Sequence, residues 1–152
     1  MSLPDQIDTN GAWEDVLERL YQAFSSIFKC QPRKMVDGKP LVFDARCLDD
    51  PHEEGFWHIV SKGKGDDRLP DFPRACRITW IDAILDGTAP NLSRWRYVEG
   101  SGSTRLYFWL EQHDYVLILQ EAPHTMSLVT AYHVEGYGRK DLERKRRKGV
   151  AF

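Results

Sequence analysis

The sequence has no apolar run near the roughly 18 residues that a membrane-crossing helix needs. Its N-terminus lacks the basic-then-apolar layout of a signal peptide, so the expected setting is the cytoplasm, with no membrane partner. Cysteine is scarce. Cys30, Cys47 and Cys76 form an odd set without CxxC or CxH spacing, which argues against a disulfide framework or a zinc site and suits a reducing compartment. Charge of one sign does not dominate either: the formal net charge is -2, so no global field speaks for or against a polyanionic partner. There is no HExxH motif and no EF-hand loop. Gly63 and Gly65 do not follow the phosphate-loop pattern GxxxxGK[ST], and no long helix follows them directly. No cofactor and no metal are therefore expected. Without repeats or linkers, the 152 residues read as a single domain with a real core.

What is present is organised around Arg94 to Val134. Thr104 to Glu111 alternates, with Leu106, Phe108 and Leu110 on one side and Arg105, Tyr107, Trp109 and Glu111 on the other, the period of a half-buried strand. Tyr115 to Leu119 is apolar throughout, as in a central strand covered on both faces. Gly100–Ser103, Gln112–Asp114 and Ala122–His124 are turns, and Met126 to Val134 is the next strand. Upstream, residues 1–9 read as a loose arm and Asn10 as a helix cap. Trp13, Val16, Leu17, Leu20, Tyr21, Phe24 and Phe28 form the apolar face of a helix to about Phe28. Leu41–Phe43 and Phe56–Val60 read as short strands. Asp71 reads as the cap of a helix to about Asp86, with Phe72, Cys76, Trp80 and Ile84 as its buried ridge. Residues 139–152 are a basic helix or tail. The expected fold is α+β, with N-terminal helices packed on a four-stranded antiparallel sheet meander and a basic C-terminal helix or tail.

Three groups of side chains can carry chemistry. The first is His58 with the loop cations Lys62, Lys64 and Arg68. The second is Arg74 and Arg77. The third is Thr130, Tyr132 and His133, where strand alternation puts Thr130 and Tyr132 on one face and His133 on the other. The acidic loop with Asp49, Asp50, His52, Glu53 and Glu54 reads as solvated charge. A histidine that titrates near neutrality, fixed cations and strand hydroxyls suit metal-independent cleavage of RNA. The 2′-hydroxyl is then the nucleophile. The protein supplies a base, cations for the charge on the phosphate oxygens and a donor for the leaving 5′-oxygen. In this reading His58, Thr130 and Tyr132 are catalytic. Lys62, Lys64, Arg68, Arg74, Arg77 and Arg105 bind phosphate, and the tail from Arg139 holds flanking backbone. Each residue also has a structural role open to it, as a packed histidine, an ion-paired arginine or a strand former.

The order of these segments carries a resemblance. A strand with His58 and a Lys/Arg loop is followed by Arg74-Ala75-Cys76-Arg77-Ile78-Thr79-Trp80-Ile81, then Arg105-Leu106-Tyr107-Phe108-Trp109-Leu110, then Leu128-Val129-Thr130-Ala131-Tyr132. Over roughly residues 41–135 this resembles the barnase–EndoU–colicin–RelE-like nuclease superfamily, in its phage-associated and polymorphic-toxin branches. The resemblance implies a helical N-terminal part on a four-stranded antiparallel sheet, with His58 as the early histidine and Thr130 as the hydroxyl of the late strand. Tyr132 falls at an aromatic position beside it, and Lys62, Lys64 or Arg74 matches the cation. It also implies RNA, as tRNA or single strands, as substrate, and an inhibitor or immunity protein as partner. The sequence departs from the family pattern in having no second histidine close after His58, which leaves the general acid unassigned. A second reading is a non-catalytic nucleic-acid-binding or phage accessory module that uses the same cations, with Tyr107 and Trp109 as a stacking platform. A third is a protein-interaction domain.

Overall fold

Apolar residues three and four apart close one face of helix α1 (Trp13–Phe28), burying Val16, Leu20, Phe24, Ile27 and Phe28. The computed structural model describes residues 3–48, 50–63 and 67–152. The helix is capped by the Ala12 position, not by Asn10, whose side-chain amide donates back to Asp8. The arm before it is not loose over residues 4–7. Trp80 Nε1 donates to the Pro4 carbonyl at 2.9 Å, Thr79 Oγ1 to the Asp5 carbonyl at 2.7 Å, and the Ile7 amide to the Cys76 carbonyl at 2.8 Å.

The sheet differs from the expectation. Short strands β1 (Met35–Val36), β2 (Lys39–Val42), β3 (Ser61–Lys62) and β4 (Leu69–Pro70) come first. The long strands β5 (Leu92–Val98), β6 (Thr104–Leu110), β7 (Tyr115–Glu121) and β8 (Met126–His133) follow, and β9 (Val150–Ala151) comes last. Strands β5 to β8 pair consecutively and antiparallel, with Leu117 between Phe108 and Ala131. They are only the centre of a seven-stranded mixed sheet of order β1-β2-β8-β7-β6-β5-β9, so the four-stranded antiparallel meander is corrected. β2 runs parallel to β8, with Leu41 beside Met126, and β9 closes on β5, with Ala151 beside Trp95. The cause of the error is physical. β1 and β9 are too short to show alternation, and a parallel pair joins segments far apart in the chain. β3 and β4 form a separate two-stranded sheet.

The helices are spread along the chain rather than gathered before the sheet. Leu106, Phe108, Leu110, Tyr115, Leu117 and Leu119 share one core with buried residues of α1, α2 (Glu54–Val60) and α4 (Thr79–Leu85). On the other face Trp95, Tyr107, Trp109, Val116 and Ile118 cluster with Leu142 of α5 (Gly138–Lys148). Tyr107 and Trp109 are therefore 2% and 0% exposed, and they offer no stacking platform. The guanidiniums of Arg139 and Arg146 lie 5.0 and 4.9 Å from the Trp109 ring centroid, and Lys145 Nζ lies 5.3 Å from that of Tyr107. Arg139 and Arg146 pair with Glu111, and Lys145 with Glu99. Three cations of the basic run, Arg139, Lys145 and Arg146, thus hold α5 to the sheet.

Two local readings also change. Glu54–Val60 is a helix, not a strand, with Phe56, Ile59 and Val60 buried at helical spacing. A short run rich in aromatic and β-branched residues does not reveal its period. The segment after Asp71 is two short helices, α3 (Phe72–Ala75) and α4, with Arg77 and Ile78 in the turn between them. The apolar ridge breaks there, leaving Phe72 exposed while Trp80 and Ile84 are buried.

Candidate functional site

A helix ends with carbonyls that have no donor inside the helix. At the end of α2 those carbonyls recruit donors from distant parts of the chain. The Trp57 carbonyl accepts from the Ser61 amide and from Ser61 Oγ, the latter at 2.7 Å. The His58 carbonyl accepts from Thr130 Oγ1 of β8 at 2.9 Å and from Arg74 Nη1 of α3 at 3.0 Å. The Val60 carbonyl accepts from the Asp71 amide at 2.9 Å, and the Ser61 carbonyl from Arg74 Nη1 at 2.9 Å. Arg74 is the clamp of this junction, and a cation there also suits the negative end of the peptide dipoles. Asp71 orients it, with its carboxylate 3.3 Å from Arg74 Nε while it accepts the Arg74 amide as the cap of α3.

The same segments enclose a cleft of about 250 Å³, lined by His58, Lys62, Arg68, Arg74 and Thr130 among others. Gly63, at φ +87°, sits where a side chain would collide with the Asp67 carbonyl. His58 Nδ1 is buried without a hydrogen-bond partner among the described residues. Burial holds the His58 pKa below the ordinary histidine value, against the opposing pull of Asp44 and Glu54. The imidazole is therefore neutral at neutral pH and able to take a proton. Arg68 grips Glu54 with two hydrogen bonds, of 3.2 and 2.7 Å, and lies 5.5 Å from the Trp57 ring centroid. Lys62 is exposed at the cleft.

Of the residues the sequence singled out, His58, Lys62, Arg68, Arg74 and Thr130 meet in this cleft. Lys64 lies outside the described residues. Tyr132 and His133, which strand alternation would send to opposite faces, both line a neighbouring cleft that also contains Lys62 and Arg74. β8 also carries a bulge at Val129, because Ile118 faces Thr130 while Leu119 faces Leu128, but the register from Thr130 to His133 is regular. Tyr132 still touches the site through Arg74, whose guanidinium lies 5.7 Å from its ring centroid. Arg77 turns back onto the Pro73 carbonyl and the Trp80 ring. Arg105 sits two strands from β8, with its Nε 3.5 Å from Gln120 Oε1. Neither lines the cleft.

The acidic loop is engaged in bonding rather than left as solvated charge. Glu53 accepts the Tyr21 hydroxyl at 2.7 Å and pairs with Lys29 at 2.9 Å. Asp50 accepts the His52 amide and Trp57 Nε1, at 2.7 and 3.2 Å. Asp49 lies outside the described residues. Sequence reasoning found Asp71 as a helix cap but missed its grip on Arg74, and it missed the parts that Glu54 and Ser61 play in positioning the cleft. The partner of Glu54, Arg68, lies 14 residues away, and nothing local names it. Set against protein-family models, curated proteins and solved structures, the chain shows no match in any of the three comparisons. The cleft itself carries the functional reading.

Proposed function

We propose that this protein is a ribonuclease-like domain that cleaves RNA by attack of a 2′-hydroxyl on the adjacent phosphorus, without a metal. One observation supports it most: a half-buried neutral histidine shares a cleft with Lys62, Arg68 and Arg74. His58 takes the 2′-hydroxyl proton as the O2′–P bond forms and the P–O5′ bond breaks. Lys62, exposed at the cleft, meets the phosphate oxygens. Arg68 and Arg74 are anchored by Glu54 and Asp71, so their charge is in place before the reaction begins. Thr130 donates to the His58 carbonyl and so acts as a positioning residue for the helix that carries the imidazole. The leaving 5′-oxygen takes its proton from solvent. The resemblance to the barnase–EndoU–colicin–RelE-like superfamily points the same way, to a phage or toxin setting in the cytoplasm, with an inhibitor or immunity protein as partner.

The test is incubation of total tRNA and of a long single-stranded RNA with wild type and His58→Ala in EDTA. The expected result is cleavage that leaves a 2′,3′-cyclic phosphate and slows about 10²–10⁴-fold in the variant, the usual share of a general base. Equal degradation by the two proteins would sink the role of His58. A second reading, a nucleic-acid-binding module without chemistry, is favoured by one feature: Arg74 and Thr130 commit donors to backbone carbonyls, and Arg68 to Glu54. Salt-sensitive RNA binding with no cleavage would select it.

A further inference from the structure

We infer that the cleft beside the His58 site is a subsite for the base of a nucleotide whose phosphate sits in the first cleft. The inference rests on reading the first cleft as a phosphodiester site. The two cavities share Lys62 and Arg74, so one ligand can occupy both. Beyond the shared cations, their linings differ. The first adds Trp57, His58, Arg68 and Thr130. The second, of about 420 Å³, includes Phe72, Tyr132 and His133.

Phe72 is the informative residue. It is 43% exposed, in a chain that buries Phe24, Phe28, Phe56 and Phe108. Its place is fixed from two sides. Asp71 caps the short helix that begins with it, and Trp13 meets its ring edge-to-face at 6.2 Å and 83°. The core does not take in its ring: the buried residues of this segment begin at Ala75 and continue with Ile78 and Trp80. Across the cleft the Tyr132 ring carries the Arg74 guanidinium. A braced, exposed ring next to a cation is a surface on which a nucleobase stacks, and such stacking tolerates any base because every base has a π-face. Phosphate in one cleft and base in the next is the layout of a single nucleotide, and inorganic phosphate can satisfy only the first half of it.

The test follows backbone amide signals of the full chain by NMR during titration with inorganic phosphate and with the 3′- and 5′-monophosphates of cytidine and guanosine. Phosphate should move signals around His58, Lys62 and Thr130 only. A monophosphate series should move those and also Phe72, Tyr132 and His133. Whichever series does so tells whether the base precedes or follows the scissile phosphate. Phe72→Ala should weaken nucleotide affinity roughly tenfold, within the range for loss of one base–aromatic stack. Phe72→Trp should retain it, which separates lost stacking from lost folding. Nucleotides that move only the first cleft, or neither, overturn the subsite even where RNA is cut. Nucleotides that move both clefts in a protein that cuts no RNA uphold the subsite and remove the ribonuclease reading.

Discussion

Two donors share one acceptor at the end of α2, and that predicts a non-additive pair of substitutions. Thr130→Val removes the hydroxyl at nearly constant volume. The His58 carbonyl keeps Arg74, so the cost should fall near the low end of the 0.5–1.5 kcal/mol typical of one hydrogen bond, about 0.5 kcal/mol. Arg74→Met keeps the aliphatic stem but removes bonds to two carbonyls and the contact with Asp71, at a cost of roughly 2–4 kcal/mol. In that variant the His58 carbonyl still accepts from Thr130. Only the double variant strips it of both donors, and an orphaned acceptor in a partly buried place costs a further 1–3 kcal/mol or so. The double variant should therefore lose about 1–2 kcal/mol more than the sum of the singles. Urea denaturation of the four proteins, with slopes held equal, measures the difference directly. Losses that add within about 0.5 kcal/mol would show that water or a neighbour replaces the missing donor, and that the junction is not closed by these two residues.

Two further outcomes follow from the buried polar groups. Burial depresses the His58 pKa in the folded state, so on acidification the unfolded chain takes the proton first. Stability is fully present above the unfolded value of about 6.5 and declines as pH falls below it; wild type should lose more than His58→Gln between pH 7 and 5, and parallel losses would contradict the buried imidazole. The Tyr115 hydroxyl is wholly buried without a hydrogen-bond partner among the described residues, and burial pushes its pKa up. Tyr115→Phe should leave stability unchanged or raise it by about 1 kcal/mol in a thermal melt, whereas a loss of that size would reveal a partner for the hydroxyl.

The run β5 to β8 was legible because Leu106, Phe108 and Leu110 alternate against Tyr107 and Trp109, and because its first turn carries glycine and its last proline. The covering of the second face was not. Arg139, Lys145 and Arg146 look like a solvated basic run until Glu99 and Glu111, more than 25 residues earlier, are brought against them. The Phe56–Val60 run failed for the opposite reason, since its residues favour a strand locally and tertiary packing makes it a helix. At the cleft, residue types were readable and pairings were not. His58, Lys62 and Arg74 stood out as chemistry-bearing. That Arg68 belongs to Glu54 and Arg74 to the His58 carbonyl depends on contacts between segments that the local pattern never links.

The insertion of β8 between β2 and β7 also sets an order in time. One wall of the cleft, made of α2, β3 and α3, is complete in sequence by Ala75. The other wall waits for Thr130, which comes after three hairpin turns. A chain emerging from the ribosome N-terminus first therefore presents His58, Lys62 and Arg74 long before the strand that finishes the groove. Closing that groove requires Leu41 to find Met126, a late and slow contact because so much chain separates them. Whatever the cleft binds, nascent and truncated chains are without it, and its capacity switches on only when synthesis and folding have both reached β8.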